Sequence, residues 1–150
     1  MRVRVGGVSI SVAHFVEVGG VFESLHGHNL ALSAQVAGEA KGGLLIDFRD
    51  LERILEESAS SINHRLIVPK ANRNLKITRR KGVLEICTPQ KRYVVPENDA
   101  TLLPITNSTV EEIARFIYKE VSRRLPSKVK LVYVSVHESE GKTATFGPHA

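Results

Sequence analysis

Tryptophan is absent from this 150-residue chain, and phenylalanine and tyrosine occur only five and three times. With so few aromatic residues, a hydrophobic core must be built mainly from Val, Leu, Ile and Ala. Hydrophobic residues still make up 42% of the chain and charged residues 25%, which is an ordinary globular balance. A chain of this length fits one domain with a core of its own, and we expect residues 1–150 to form a single domain.

Cysteine is almost absent as well, since Cys87 is the only one. A single cysteine excludes an internal disulfide and a Cys-rich metal site, so any metal would be held by His, Asp or Glu. Cys87 lies in a predicted strand, where lone cysteines are usually inert, and is a poor candidate for a nucleophile.

Long apolar runs are also missing, and the Met-Arg-Val-Arg start does not resemble a signal peptide. We therefore expect a cytoplasmic protein without a membrane partner. The net charge is +5, and the basic residues are densest between Lys70 and Lys81. No aromatic residues are interleaved there, which favours a solvated surface over a nucleic-acid site.

The spacing of apolar residues predicts both strands and helices. Alternating patterns predict strands, with a bend at Gly6-Gly7 in the first, and i, i+3, i+4 spacing predicts two helices. Asp47 is a good N-cap for the first helix, and Ser108 or Thr109 begins the second, which Pro126 ends. The predicted strands cover residues 2–15, 28–37, 83–87, 92–95, 129–137 and 143–146, and the first helix covers about 48–61.

This order predicts an α+β fold in which two helices cover one face of an antiparallel sheet. Residues about 67–104 form a segment of uncertain structure within it. Neither an internal repeat nor a linker long enough to divide the chain is evident.

Three histidines are placed where they could share a ligand. His26 and His28 flank Gly27, and residues i and i+2 of a strand point to the same face. His14 lies near the end of the preceding strand, beside that pair if the two strands are antiparallel. Three neutral imidazoles suit a catalytic zinc and leave a fourth position free. A His-x-His pair is a weak signal by itself, so a purely structural role stays open at this point.

Several short motifs occur in the same order as in a known enzyme family. They are Val12-Ala13-His14-Phe15, Leu25-His26-Gly27-His28-Asn29, Ile46-Asp47-Phe48-Arg49-Asp50-Leu51, Asn63-His64-Arg65, Thr109-Val110-Glu111-Glu112 and Val136-His137-Glu138-Ser139. Through them the chain resembles the 6-pyruvoyltetrahydropterin synthase / 6-carboxytetrahydropterin synthase family. The resemblance covers most of the chain apart from about 67–104. It implies the tunnelling fold, in which subunits join their sheets into a barrel-like ring and trimers pair into hexamers, with active sites between subunits.

The resemblance also implies roles for single residues. By this resemblance, the zinc ligands are His14, His26 and His28. Glu138 matches the carboxylate that anchors the pterin, and Thr109 matches a threonine near the pterin, where helix capping is a compatible role. Glu111 in the same motif is equally well explained by capping.

Two departures from the family pattern bear on the reaction. The family's catalytic cysteine would stand four residues before His26, where this chain has Phe22, followed by Glu23 in a Glu-x-x-His-Gly-His sequence. Family members with this glutamate are associated with cleavage of the dihydroneopterin side chain. His64 matches the family's second catalytic residue, but Asn63 replaces the aspartate that usually precedes it, and an amide supports a protonated imidazole less well.

These features predict a zinc-dependent lyase or aldolase that converts 7,8-dihydroneopterin, or its phosphate, to 6-hydroxymethyl-7,8-dihydropterin. Glu23 and His64 are the predicted proton-transfer residues. The alternative enzyme is a 6-pyruvoyl- or 6-carboxytetrahydropterin synthase acting on 7,8-dihydroneopterin triphosphate. An alternative of another class is a non-catalytic pterin-binding protein.

Overall fold

The structure, a computed structural model, describes residues 1–148. Its strands form one six-stranded sheet, one three-stranded sheet and a two-stranded hairpin. The elements follow in the order β1 (Arg2–His14), β2 (Glu17–Val18), β3 (Val21–Phe22), β4 (His26–Ala37), α1 (Phe48–Ala59), β5 (Arg65–Pro69), β6 (Lys76–Arg80), β7 (Val83–Cys87), β8 (Arg92–Pro96), a short 3-10 helix (Glu97–Asp99), β9 (Ala100–Leu103), α2 (Val110–Arg124), β10 (Lys130–Ser139) and β11 (Lys142–Phe146).

The large sheet has the strand order β11-β10-β4-β1-β5-β9. The antiparallel β1–β4 pair lies at its centre, and its register shifts between Val5 and Val8, where Gly7 adopts a φ of 83°. This irregularity is the bend predicted at Gly6-Gly7, because a left-handed backbone favours glycine.

The sheet is not antiparallel throughout, which corrects one detail of the sequence prediction. β5 pairs with β1 in parallel, and β9 pairs with β5 in parallel. Parallel neighbours need a long crossover connection. The connection from β1 to β5 runs through β2, β3, β4 and helix α1, and the connection from β5 to β9 contains the three-stranded sheet.

Both helices pack against the main core, as their sequence pattern predicts. Asp47 accepts a 2.8 Å hydrogen bond from the Arg49 N–H and caps α1, and Thr109 accepts one of 3.4 Å from the Glu112 N–H at the start of α2. Buried residues of α1, α2 and the central strands form one apolar cluster. Within residues 1–148, neither helix has the length and apolar character needed to cross a membrane.

A second, smaller core attaches the three-stranded sheet β6-β7-β8 to the large sheet. Phe15, which directly follows β1, is fully buried, and its ring stacks on Tyr93 of β8 with centroids 5.3 Å apart and a 4° angle between the planes. Leu84 and Ile86 of β7 are buried in the same cluster. The small sheet is therefore packed beside the end of β1, next to His14.

Candidate metal centre and adjoining pocket

The three predicted ligands meet at one end of the β1–β4 pair. In the register of these strands, His14 lies opposite His26 and Val12 lies opposite His28. One ring nitrogen from each histidine lies within 4.8 Å of the other two. Gly27 allows this close pairing, because a Cβ added there would lie only 3.1 Å from the Val12 carbonyl oxygen.

Backbone carbonyls set the tautomer of two of these rings. His14 Nδ1 lies 2.7 Å from the Ser108 oxygen, and His26 Nδ1 lies 2.7 Å from the Ser24 oxygen. A carbonyl only accepts, so each Nδ1 carries the hydrogen and each neutral ring has a bare Nε2. Burial, the largest cause, lowers the pKa of His14, and the nearby His26 and His28 lower it further, against the opposing effect of the Ser108 bond. His14 is thus available as a neutral ligand.

The two bare nitrogens face each other, with His14 Nε2 and His26 Nε2 3.2 Å apart. Two lone pairs at this distance repel unless a cation lies between them. Nitrogens bound to a tetrahedral zinc at about 2.0–2.1 Å would themselves be about 3.3 Å apart, so the observed spacing fits zinc. His28 supplies a third imidazole, and its Nε2 lies 3.8 Å from Glu138 Oε2.

A pocket of about 780 Å³ opens directly beside this centre. Its lining includes the three histidines together with Glu23, Glu138 and Thr109, which were all predicted as site residues. Glu111 also lines it, at the first turn of α2. The pocket therefore combines a candidate metal centre with several carboxylates and a hydroxyl that can bind a polar ring.

Glu23 and Phe22 point in different directions. The Phe22 ring is 3% exposed and packs edge-on against Phe15 with centroids 5.8 Å apart, whereas Glu23 lines the pocket. The Glu23 N–H donates a 2.9 Å hydrogen bond to the Val16 oxygen, which ties this segment to the end of β1. The position matching the family's cysteine is thus a core position here, and the next residue faces the pocket.

His64 does not join this pocket within one chain. It is exposed in the turn between α1 and β5, with a φ of 56°, and its N–H donates a 2.7 Å bond to the Ser11 oxygen. Asn63 Oδ1 accepts a 3.0 Å bond from the Ser11 N–H. The amide that replaces the family's aspartate therefore pairs with the β1 backbone, and a catalytic role for His64 stays a prediction.

A hydrogen-bond network links the segment after β1 to distant parts of the chain, and the sequence did not predict it. The Glu17 carboxylate accepts bonds of 2.6 Å from Asn72 Nδ2 and 2.5 Å from Asn74 Nδ2. The Asn107 side chain accepts from the Glu17 N–H at 3.0 Å and donates to the Glu17 oxygen at 2.8 Å. The Ser108 hydroxyl donates to the Phe15 oxygen at 2.7 Å. These partners are far apart in sequence and form no motif, so no local pattern indicates them.

Replacing Glu17 by glutamine is expected to destabilise the fold by about 1–3 kcal/mol, because the new amide would place its N–H₂ group against one of two asparagine donors. Urea unfolding measures the change. Glu39→Gln, at an exposed carboxylate in the loop after β4, is the matched control. Equal unfolding midpoints for both variants would show that the network adds little to stability.

Comparison with known proteins gives a consistent result. Residues 7–149 match the family model described as 6-pyruvoyl tetrahydropterin synthase. A putative 6-carboxy-5,6,7,8-tetrahydropterin synthase of Methanocaldococcus jannaschii is 29% identical over 146 residues, which cover 93% of this chain and 90% of that protein. A dihydroneopterin monophosphate aldolase of Pyrococcus furiosus is 28% identical over 130 residues, which cover 87% of this chain and 83% of that protein.

Solved structures extend the similarity to the fold. The 6-pyruvoyl tetrahydropterin synthase of Plasmodium falciparum matches with a TM-score of 0.88 and 29% identity, over 97% of this chain and 96% of that chain. A Plasmodium vivax 6-pyruvoyltetrahydropterin synthase, in which a catalytic residue, a glutamate, is replaced by alanine, matches with a TM-score of 0.88 and 26% identity over the same fractions.

Proposed function

Since the chain belongs to the 6-pyruvoyl tetrahydropterin synthase family, we propose that it is a zinc-dependent lyase that cleaves the side chain of 7,8-dihydroneopterin or its phosphate. The product would be 6-hydroxymethyl-7,8-dihydropterin. The observation that carries this proposal is the carboxylate of Glu23 in the pocket beside three imidazoles, while the only cysteine, Cys87, lies in β7 outside that pocket.

His14, His26 and His28 would hold the zinc, through the bare Nε2 atoms of the first two and a nitrogen of the third. A bound zinc supplies a Lewis acid that lowers the pKa of a hydroxyl on the substrate side chain. The Ser108 and Ser24 carbonyls keep the His14 and His26 rings in the required tautomer.

The pterin ring would bind at the β10 side of the pocket. The Glu138 carboxylate is half-buried there, and its two oxygens can accept parallel hydrogen bonds from the exocyclic amine and the adjacent ring N–H of a pterin. Such a carboxylate is costly to bury without donors, which a pterin provides. The Thr109 hydroxyl lines the same pocket and can contribute a further polar contact.

Glu23 would carry out the first proton transfer at the side chain. As a carboxylate it removes the proton of the 2′-hydroxyl, the C1′–C2′ bond breaks, and the 2′-carbon leaves as the aldehyde of glycolaldehyde. The bond's electron pair passes into the C6=N5 bond of the ring, and protonation of C1′ then completes the hydroxymethyl group. We assign the second proton transfer to His64, reaching this pocket from a neighbouring subunit, since it is exposed and outside the pocket of its own chain.

The relatives support two versions of this chemistry. The Pyrococcus furiosus protein is a dihydroneopterin monophosphate aldolase, and a catalytic residue in the Plasmodium vivax enzyme is a glutamate. The first favours the cleavage proposed here, and the second supports a catalytic role for Glu23. The Methanocaldococcus jannaschii protein is described as a putative 6-carboxytetrahydropterin synthase, which keeps a synthase acting on the triphosphate as the second candidate.

A product assay tests the proposal. Zinc-loaded protein is incubated separately with 7,8-dihydroneopterin, its monophosphate and its triphosphate, and the products are identified by chromatography and mass spectrometry. Hydroxymethyl-dihydropterin with glycolaldehyde, or glycolaldehyde phosphate, is the expected result. Release of triphosphate would identify a synthase, and tight pterin binding without turnover would identify a binding protein.

A further inference from the structure

We propose that the segment connecting β5 to β9, residues 70–99, positions Glu23 in the pocket, with Tyr93 of β8 as the central positioning residue. The inference rests on the proposed function, in which Glu23 makes the first proton transfer. It gives a role to a part of the chain for which the sequence indicated none. Tyr93 does not line the pocket, so its effect on the reaction would pass through the residues that it packs against.

The connecting segment (residues 70–99) holds the β2–β3 hairpin at its base. Glu17 of β2 pairs with Phe22 of β3, and Phe22 directly precedes Glu23 in the chain. The Glu17 carboxylate accepts hydrogen bonds of 2.6 Å from Asn72 and 2.5 Å from Asn74, which both belong to the connecting segment. One side of the base is therefore fixed by hydrogen bonds to that segment.

An aromatic stack fixes the other side of the base. The Phe22 ring is buried and meets Phe15 edge-on, with centroids 5.8 Å apart. Phe15 in turn stacks flat on Tyr93 of the connecting segment, with centroids 5.3 Å apart and a 4° angle between the planes. Leu84 and Ile86 of β7 are buried in the same cluster. The stack thus runs from the small sheet to the residue before the proposed base.

The residue after the proposed base is held by the connecting segment as well. Lys91, in the turn between β7 and β8, donates a 3.3 Å hydrogen bond from Nζ to the Ser24 hydroxyl. Glu23 itself is tied to the end of β1, because its N–H donates a 2.9 Å bond to the Val16 oxygen. Both chain neighbours of Glu23 are therefore anchored by residues 70–99, which fixes the backbone from which its side chain enters the pocket.

Loosening this anchorage should affect the proton transfer more than the metal. A general base must lie within hydrogen-bond reach of the proton that it removes, and a misplacement of about 1 Å can cost about 10²-fold in rate. The three imidazoles are carried by β1 and β4, which form the centre of the large sheet. The expected signature is a loss of kcat in protein that keeps its zinc.

Three variants test the inference: Tyr93→Leu, Tyr93→Phe and, as matched control, Tyr118→Leu in α2, where the ring meets Phe146 edge-on at 5.2 Å. For Tyr93→Leu we expect kcat on 7,8-dihydroneopterin to fall about 10–100-fold, with KM changed less than about twofold and full zinc content. Tyr93→Phe keeps the stacked ring and should keep kcat. Tyr118→Leu should lower the urea midpoint but not kcat. If Tyr93→Leu does not fold, Phe22→Leu removes another ring of the same stack and should give the same result.

Amide hydrogen exchange tests the anchorage without depending on turnover. A peptide covering residues 16–25 should exchange faster in Tyr93→Leu than in the wild type, and at the wild-type rate in Tyr118→Leu. Unchanged exchange in that peptide, a Tyr93→Leu kcat within about twofold of wild type, or loss of its zinc would overturn the inference. Faster exchange in Tyr93→Leu together with a wild-type protein that turns over no pterin would instead refute only the proposed reaction.

Discussion

Replacing Glu23 by glutamine is expected to lower kcat on 7,8-dihydroneopterin about 10²–10⁴-fold while the protein keeps its zinc. Glutamine matches glutamate in size and fits the same place in the pocket, but it cannot take up the proton of the 2′-hydroxyl. Glu23 does not belong to the group of three imidazoles, so metal content should be unaffected. Steady-state kinetics with product identification, combined with zinc analysis of the same preparation, gives both quantities.

The control for Glu23 is Glu140→Gln, an exposed carboxylate in the turn between β10 and β11. It removes one negative charge close to the site without touching the pocket lining. If Glu23→Gln kept more than half of the wild-type kcat, a different group would be the base, and the proposed assignment of proton transfer would be wrong.

Replacing His26 by alanine should weaken zinc binding by more than about 100-fold and reduce activity to background. The factor exceeds what is typical for losing an outer-shell partner, because here a ligand itself is lost. Removing this imidazole also leaves the bare His14 Nε2 without the facing nitrogen 3.2 Å away that completes the pair. Competition with a chromogenic chelator measures zinc affinity, and activity is measured at saturating zinc.

His137→Gln is the matched control for the histidine variant. His137 directly precedes Glu138 in β10, but it does not belong to the group of three imidazoles, and its Nδ1 lies 2.7 Å from the Thr143 hydroxyl. Glutamine can keep that bond, so zinc affinity should stay at the wild-type level. Stoichiometric, tight zinc in His26→Ala would contradict the proposed centre.

The cluster of three histidines could be predicted from sequence because it depends on short-range regularities. The i, i+2 spacing of His26 and His28 places both rings on one face of a strand, and antiparallel pairing brings His14 opposite them. The helix starts at Asp47 and Thr109 could be predicted equally well, because capping is a local interaction.

The parts that could not be predicted depend on contacts between distant segments. The parallel pairing of β5 and β9 follows from how the crossovers pack, which no local pattern encodes. The Glu17 carboxylate meets Asn72 and Asn74 across 55 and 57 residues. Asn63 is a further example. By sequence it takes the place of the aspartate that usually precedes the family's second catalytic residue, but its side chain bonds to the β1 backbone.

The carbonyls of Ser24 and Ser108 that orient the two imidazoles belong to the main chain. A substitution at either position leaves these carbonyls in place as long as the backbone keeps its path. The orientation of the two imidazoles therefore does not depend on the side chains at positions 24 and 108. The residue to which we assign the first proton transfer, Glu23, is by contrast a single side chain on the short segment between β3 and β4. If that assignment holds, one replacement at this position would change the reaction and leave the three imidazoles in place.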